Sequence, residues 1–240
     1  MLRIINIKIP IEHSFDDIKK QVAELLHIGE RELNDIKISG KSIDARKKSD
    51  IVYVYSVDIT IKHEERFVSL PNVRHIEQYE YKINPITSNK RPIIIGSGPG
   101  GLFAALILTE NGLKPLIIER GKKVENRIED VRLFFEKGIL NTGSNVQFGE
   151  GGAGTFSDGK LTTNLNDPRI EKVIQELLNA GAPEEISYLA KPHIGTDNLI
   201  NILINIRSKI ESLGGEFLFE HKLSSIECES GKLKSITIKN

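Results

Sequence analysis

An apolar run, Pro92-Ile93-Ile94-Ile95, leads into Gly96-Ser97-Gly98-Pro99-Gly100-Gly101 and then Leu102-Phe103-Ala104-Ala105, and this passage limits the fold more than any other in the chain. A strand that ends in GxGxxG and opens a helix begins a dinucleotide-binding βαβ unit. Gly96 permits the tight turn, Gly98 lets the backbone approach a pyrophosphate, and Gly101 lets the helix lie against the strand with no side chain between them. Ser97, Pro99 and Gly100 complete the loop, and the unpaired N–H groups of the helix start face the diphosphate. Downstream the helix stops at Asn111-Gly112, and a second strand, Pro115-Leu116-Ile117-Ile118, ends at Glu119. That carboxylate stands about 20 residues beyond the glycines, where an acid accepts hydrogen bonds from ribose hydroxyls. It disfavours a 2′-phosphate, so FAD or NAD is expected rather than NADP, and the adjoining Arg120 softens that exclusion.

Composition leaves room for this unit and one more. The 240 residues are 39% hydrophobic, enough for one large domain or two modest ones. Lys+Arg 33 balance Asp+Glu 33 to a formal net charge of +0, so no global field recommends a nucleic acid or an anionic membrane as partner. The N-terminus builds no secretory apolar region, and no apolar run approaches the roughly 18 residues of a membrane span. A cytoplasmic protein is expected. Cys228 is the only cysteine, which excludes an internal disulfide or a CxxC redox pair within these residues, and no metal site is expected.

Residues 1 to about 62 read as a small β-α-β-β unit. Ile5, Ile7 and Ile9 alternate as in a strand. Ser14 with Asp17 caps a helix carrying Ile18, Val22, Leu25 and Leu26 on one face, a strand is placed over Asp35 to Ser39, and Ile51 to Ile61 holds period two throughout. Lys41 to Lys48 is a basic turn, read as a solvated loop or, alternatively, as a docking or gating element. His63 to Lys90 is a linker with a domain boundary near residue 85, giving domains 1–84 and 85–240. Lys122 to Leu140 is a polar segment. Asp167-Pro168 starts a helix with Ile170, Val173, Ile174 and Leu177 on its buried side. A further helix from Thr196-Asp197 carries Leu199, Leu203, Ile206, Ile210 and Leu213, and strands follow over Glu216 to Phe219 and Leu233 to Lys239.

A second glycine block, Asn145 to Lys160, holds five glycines between Gly149 and Gly159. Alone it could be a mobile loop. Its position favours a second backbone surface, where a ring or diphosphate lies without Cβ atoms in the way and successive N–H groups form an anion-binding nest.

These segments resemble a family of FAD-dependent dehydrogenases related to the glutathione-reductase-type flavoproteins. The matching stretches are KSIDARKK at 41–48, PIIIGSGPGGLFAALILTENG at 92–112, LIIERGKKVENR at 116–127, NVQFGEGGAGTFSDGKL at 145–161 and KPHIGTDNL at 191–199. The resemblance implies a Rossmann-like FAD domain with a mainly parallel sheet behind the small N-terminal domain. FAD is the implied cofactor, NAD(P)H a candidate electron donor, and a small molecule of unspecified class the substrate. Gly96, Gly98 and Gly101 would lie at the diphosphate and Glu119 on the adenosine ribose. Gly151, Gly152, Ala153, Gly154 and Thr155 would lie near the flavin, and a backbone contact near Leu223 at the adenine. For Arg127 the resemblance implies a phosphate contact, whereas the residue's spacing alone allows a surface ion pair with Glu125 or Glu129. Because flavoproteins of this kind close the site with later segments, the chain is expected to be the N-terminal portion of a longer enzyme. The same residues leave two other classes open: an NAD-dependent dehydrogenase, and a non-catalytic nucleotide-binding module. His193, before a helix N-terminus, reads as a capping residue more readily than as an acid–base group, Asp158 and Lys160 as loop decoration or flavin neighbours, and no catalytic residue is assigned.

Overall fold

Strand β1 (Leu2–Pro10) buries Leu2 and Ile4, then changes phase at Asn6, whose φ of 61° marks a bulge, and buries Ile7 and Ile9 beyond it. The simple alternation expected of Ile5, Ile7 and Ile9 is therefore broken, and Ile5 stays partly exposed. The computed structural model of the protein describes residues 1–163 and 165–240. They divide into two units: Met1–Glu80 with Thr162–Glu171 and Glu184–Pro192, and Tyr81–Leu161 with Lys172–Pro183 and His193–Asn240.

In the first unit, helix α1 (Phe15–Leu26) begins at the expected capping box, in which Ser14 and Asp17 exchange hydrogen bonds. Its buried side is Ile18, Val22, Ala23 and Leu26, while Leu25 points to solvent. Strands β2 (Asp35–Asp44), β3 (Val52–Thr60) and β4 (Val73–His75) join β1 in an antiparallel sheet of order β2-β3-β1-β4. The core is built by Leu2, Ile4, Ile7 and Ile9 against Tyr55, Val57 and Ile59 and the apolar side of α1. Two expectations need correction. The first half of the basic stretch is not a turn: β2 runs on through Lys41 to Asp44, paired with Tyr55 to Val52, because a bulge between Ile38 and Gly40 keeps the ladder going. The stretch read as linker contributes β4, a fourth strand on the edge of β1. On the other edge, Lys41 exchanges backbone hydrogen bonds with Tyr188 and Ala190, which cover part of β2.

The second unit holds a parallel sheet of three-residue strands, β5 (Ile93–Ile95), β6 (Leu116–Ile118) and β7 (Glu216–Leu218), in that spatial order. Helix α2 (Pro99–Glu110) connects β5 to β6 and packs on α5 (Thr196–Ser212), which buries Ile202, Leu203, Ile206 and Ile210 but leaves Leu213 exposed. The segment read only as polar is helix α3 (Val124–Lys137). Helix α4 (Arg169–Asn179) starts directly after Asp167-Pro168; of its expected apolar side, Leu177 is buried, Ile170 and Ile174 partly so, and Val173 exposed. Strands β8 (Lys222–Glu229) and β9 (Lys232–Lys239) form an antiparallel hairpin. Among the named strands of the described residues, β5, β6 and β7 pair parallel and the others pair antiparallel, apart from a single parallel bridge from Lys41 of β2 to Leu189. No helix of the described residues is long and apolar enough to cross a membrane.

Candidate functional site

Three parallel strands end together, and the chain leaves β5 through Gly96, whose φ of 93° is one that L side chains rarely adopt. The amide of Gly96 is tied to Ile118 O, fixing the turn to β6. At Gly101 a Cβ would stand 2.0 Å from Gly96 O, so only glycine lets α2 start this close to the strand. At Gly98 and Gly100 a Cβ would meet nothing within 4 Å. The first glycine of the motif is required by turn geometry and the third by helix–strand packing, but nothing inside the protein requires the middle one.

The open space above Gly98 belongs to a cavity of about 420 Å³ at the carboxyl ends of β5 and β6. Gly96, Gly98, Glu119, Arg120, Gly152 and Leu223 line it, bringing together six positions that lie up to 127 residues apart in the chain. Gln147, Phe148 and Gly149, from the NVQFGEGG stretch of the second glycine block, also line it, as do His221 and Lys222, which no motif marks. Arg120 lays its guanidinium over the Phe148 ring, 3.6 Å from the centroid, and so makes one wall flat and partly aromatic.

Glu119 sits at the cavity yet is only 5% exposed. Its Oε2 accepts from the Ser97 amide at 2.8 Å and from Ser97 Oγ at 2.9 Å, and its Oε1 accepts from the Gly121 amide at 2.8 Å. Ser97 is itself fully buried and spends both donors on Glu119 rather than on the cavity. The carboxylate therefore holds the glycine turn in place and, with three of its roughly four acceptor sites used, retains one on Oε1 for a further donor.

The second glycine block is held against the first. Gly151 donates to Ser97 O, and a Cβ on Gly152 would come within 3.4 Å of Gly98 Cα. Thr155 is buried, with its hydroxyl on Glu150 O, while Ala153 and Gly154 lie exposed at the start of a 3₁₀ turn. Arg127 organises this block. It is fully buried, not at the surface, and the ion pair with Glu125 or Glu129 does not form. Its Nε donates to Asn145 O, its Nη1 to Glu150 O and Thr155 Oγ1, and its Nη2 to Val146 O and Gly152 O. All five N–H donors are thereby used within the loop. Burial pulls its pKa down to about 10, against the opposing pull of Glu119 and Glu150.

Glu150 is also fully buried. Its Oε2 accepts from the Val124 amide at the start of α3 and pairs with Arg207 on α5, which in turn binds Glu125; its Oε1 has no partner among the described residues. Burial pushes its pKa up to about 7, with Arg207 opposing and Glu125 adding to the shift. Asp158 and Lys160 pair with each other at 2.9 Å on the surface, and His193 is exposed with its backbone bridged to Lys160.

Residues 1–60 match a family described as a domain of unknown function, DUF8436. A Clostridium beijerinckii protein described as an uncharacterized protein is 42% identical over 245 residues, covering 99% of this chain and 46% of that protein. The chain thus spans about half the length of the curated relative it matches. Among solved structures, Thermovibrio ammonificans THI4 is similar over 62% of this chain and 47% of its own, at 15% identity and a TM-score of 0.39. The L-amino acid deaminase from Proteus vulgaris is similar over 67% of this chain and 46% of its own, at 11% identity and a TM-score of 0.30.

Proposed function

We propose that this chain is the dinucleotide-binding portion of an FAD-dependent oxidoreductase. The observation that carries the reading is the free space over Gly98. In a motif where the first glycine is demanded by φ and the third by packing, the middle glycine opens onto a cavity, and that opening is the fit a diphosphate needs. The start of α2 would supply unpaired amides to the phosphates. Glu119 would accept from a ribose hydroxyl with the acceptor site left on Oε1 beyond Ser97 and Gly121, and the Arg120–Phe148 wall and Leu223 would flank the base. A second glycine surface at Gly149 and Gly152 would let a bulky fused ring system lie against backbone, which an ordinary NAD domain does not need, and so favours FAD over NAD. Bound flavin would supply hydride or electron-pair transfer; the protein's part is to hold the dinucleotide, and no side chain here is assigned to proton transfer.

The test is the visible spectrum of the purified protein at its natural length, followed by addition of NADH and of NADPH. Flavin bands that bleach with either nicotinamide support an oxidoreductase. A colourless protein that binds NADH moves the site to a nicotinamide dehydrogenase, and flavin that neither nicotinamides nor dithionite reduce makes the domain a non-catalytic nucleotide binder.

A further inference from the structure

Helices α2, α4 and α5 enclose a second chamber of about 230 Å³ that shares no lining residue with the cavity over Gly98. Gly98 and Gly152 face the nucleotide cavity, whereas Pro99 and Gly151 face the chamber, so the apposed glycine turns form the wall between them. Leu102, Leu177, Ile194, Ile202, Leu203 and Ile206 line the chamber and are themselves buried. Among the described residues that line it, Lys160 alone is charged; it is exposed and already paired with Asp158. Packed interiors leave few voids larger than a water molecule, and an apolar cavity of about 150 Å³ stays dry and takes up benzene. A chamber of 230 Å³ exceeds that and is closed on three sides by helices. Its size and lining suit a ring or a short chain and not a peptide segment.

We propose that this chamber binds the apolar body of a small molecule, a single or fused ring or a short aliphatic chain, with any polar end at the rim by Lys160. That this molecule is the substrate rests on the flavin reading above; that the chamber binds it does not. The probe is indole, titrated against the protein at its natural length by saturation-transfer NMR. Two variants fill the chamber, Val173→Trp at an exposed lining position and Leu199→Trp at a half-buried one. Saturable indole binding that weakens at least about tenfold in the variants, at unchanged flavin content, is the expected result. Circular dichroism identifies a variant that fails to fold, and the other then carries the comparison. Indole that never saturates, or that binds both folded variants as it binds the parent protein, overturns the proposal. A colourless protein whose indole binding still falls in the variants leaves the chamber standing and removes the flavin reading; a flavin-loaded protein indifferent to indole does the reverse.

Discussion

Single atoms separate the two roles that glycine plays in the first turn. A Cβ on Gly101 collides with Gly96 O at 2.0 Å, and neither backbone can retreat without parting α2 from β5. Gly101→Ala is therefore expected to cost about 3 kcal/mol of stability, as overpacking does, and to show as a lowered thermal midpoint. Gly98 caps α2 with an extended backbone, φ −69° and ψ 178°, which a valine adopts readily. Gly98→Val should lose only about 1 kcal/mol, the cost of a poorer cap, while its side chain enters the space assigned to the diphosphate. Folded Gly98→Val protein without flavin is the expected outcome, and flavin content equal to the parent's would remove Gly98 from the site. The motif's spacing made this turn legible from the sequence, since each glycine answers to local backbone geometry. Spacing could not reveal that Ser97 turns inward to Glu119, because that depends on where β6 ends relative to β5.

Elements were readable where burial is periodic and obscure where polar groups do the packing. The alternation in β3 and the capping box of α1 stand out because an apolar face and a local hydrogen bond are both written in neighbouring residues. Helix α3 has no such signature because its buried residues are Val124, Arg127, Asp130 and Val131, two of them ionic, so no apolar stripe marks it. Strand β4 is only three residues long, and β2 extends through a bulge that shifts its phase. The same polar packing yields a prediction. Arg127→Lys keeps the charge but offers three donors without the planar fork, and Arg127→Met offers none to acceptors that remain inside. Leaving several buried acceptors unpaired should cost Arg127→Met about 3 kcal/mol, with Arg127→Lys intermediate. Limited proteolysis locates the damage: new cleavage within 145–160 supports Arg127 as the clasp of the second glycine block, and a parent-like pattern in both variants refutes it.

Over the whole molecule, the two units draw on different sources of stability. Every buried residue of the first unit's core lies between Leu2 and Val73, so a fragment of residues 1–80 is expected to unfold cooperatively by itself; a fragment without a thermal transition would show that the core needs residues from later in the chain. The second unit depends in part on a chain of ion pairs that runs from exposed Glu125 through buried Arg207 to buried Glu150, and its stability should follow pH. Glu150 is pushed up from an ordinary 4.5 to about 7 by burial, so the folded state holds its proton more tightly than the unfolded state does. Its contribution is complete below about 4.5 and is lost as pH rises through 7, by up to about 3 kcal/mol. Glu125, lowered by its hydrogen bonds from Arg207, is charged throughout most of that window and keeps Arg207 partnered. Glu150→Gln preserves an acceptor for the Val124 amide and removes the titration. Thermal midpoints measured from pH 5 to 8 should fall more steeply in the parent than in Glu150→Gln, with the gap opening between pH 5 and 7. Parallel curves would mean that Glu150 is ionised in the folded protein across the whole range, and that Arg207 outweighs the cost of burying it.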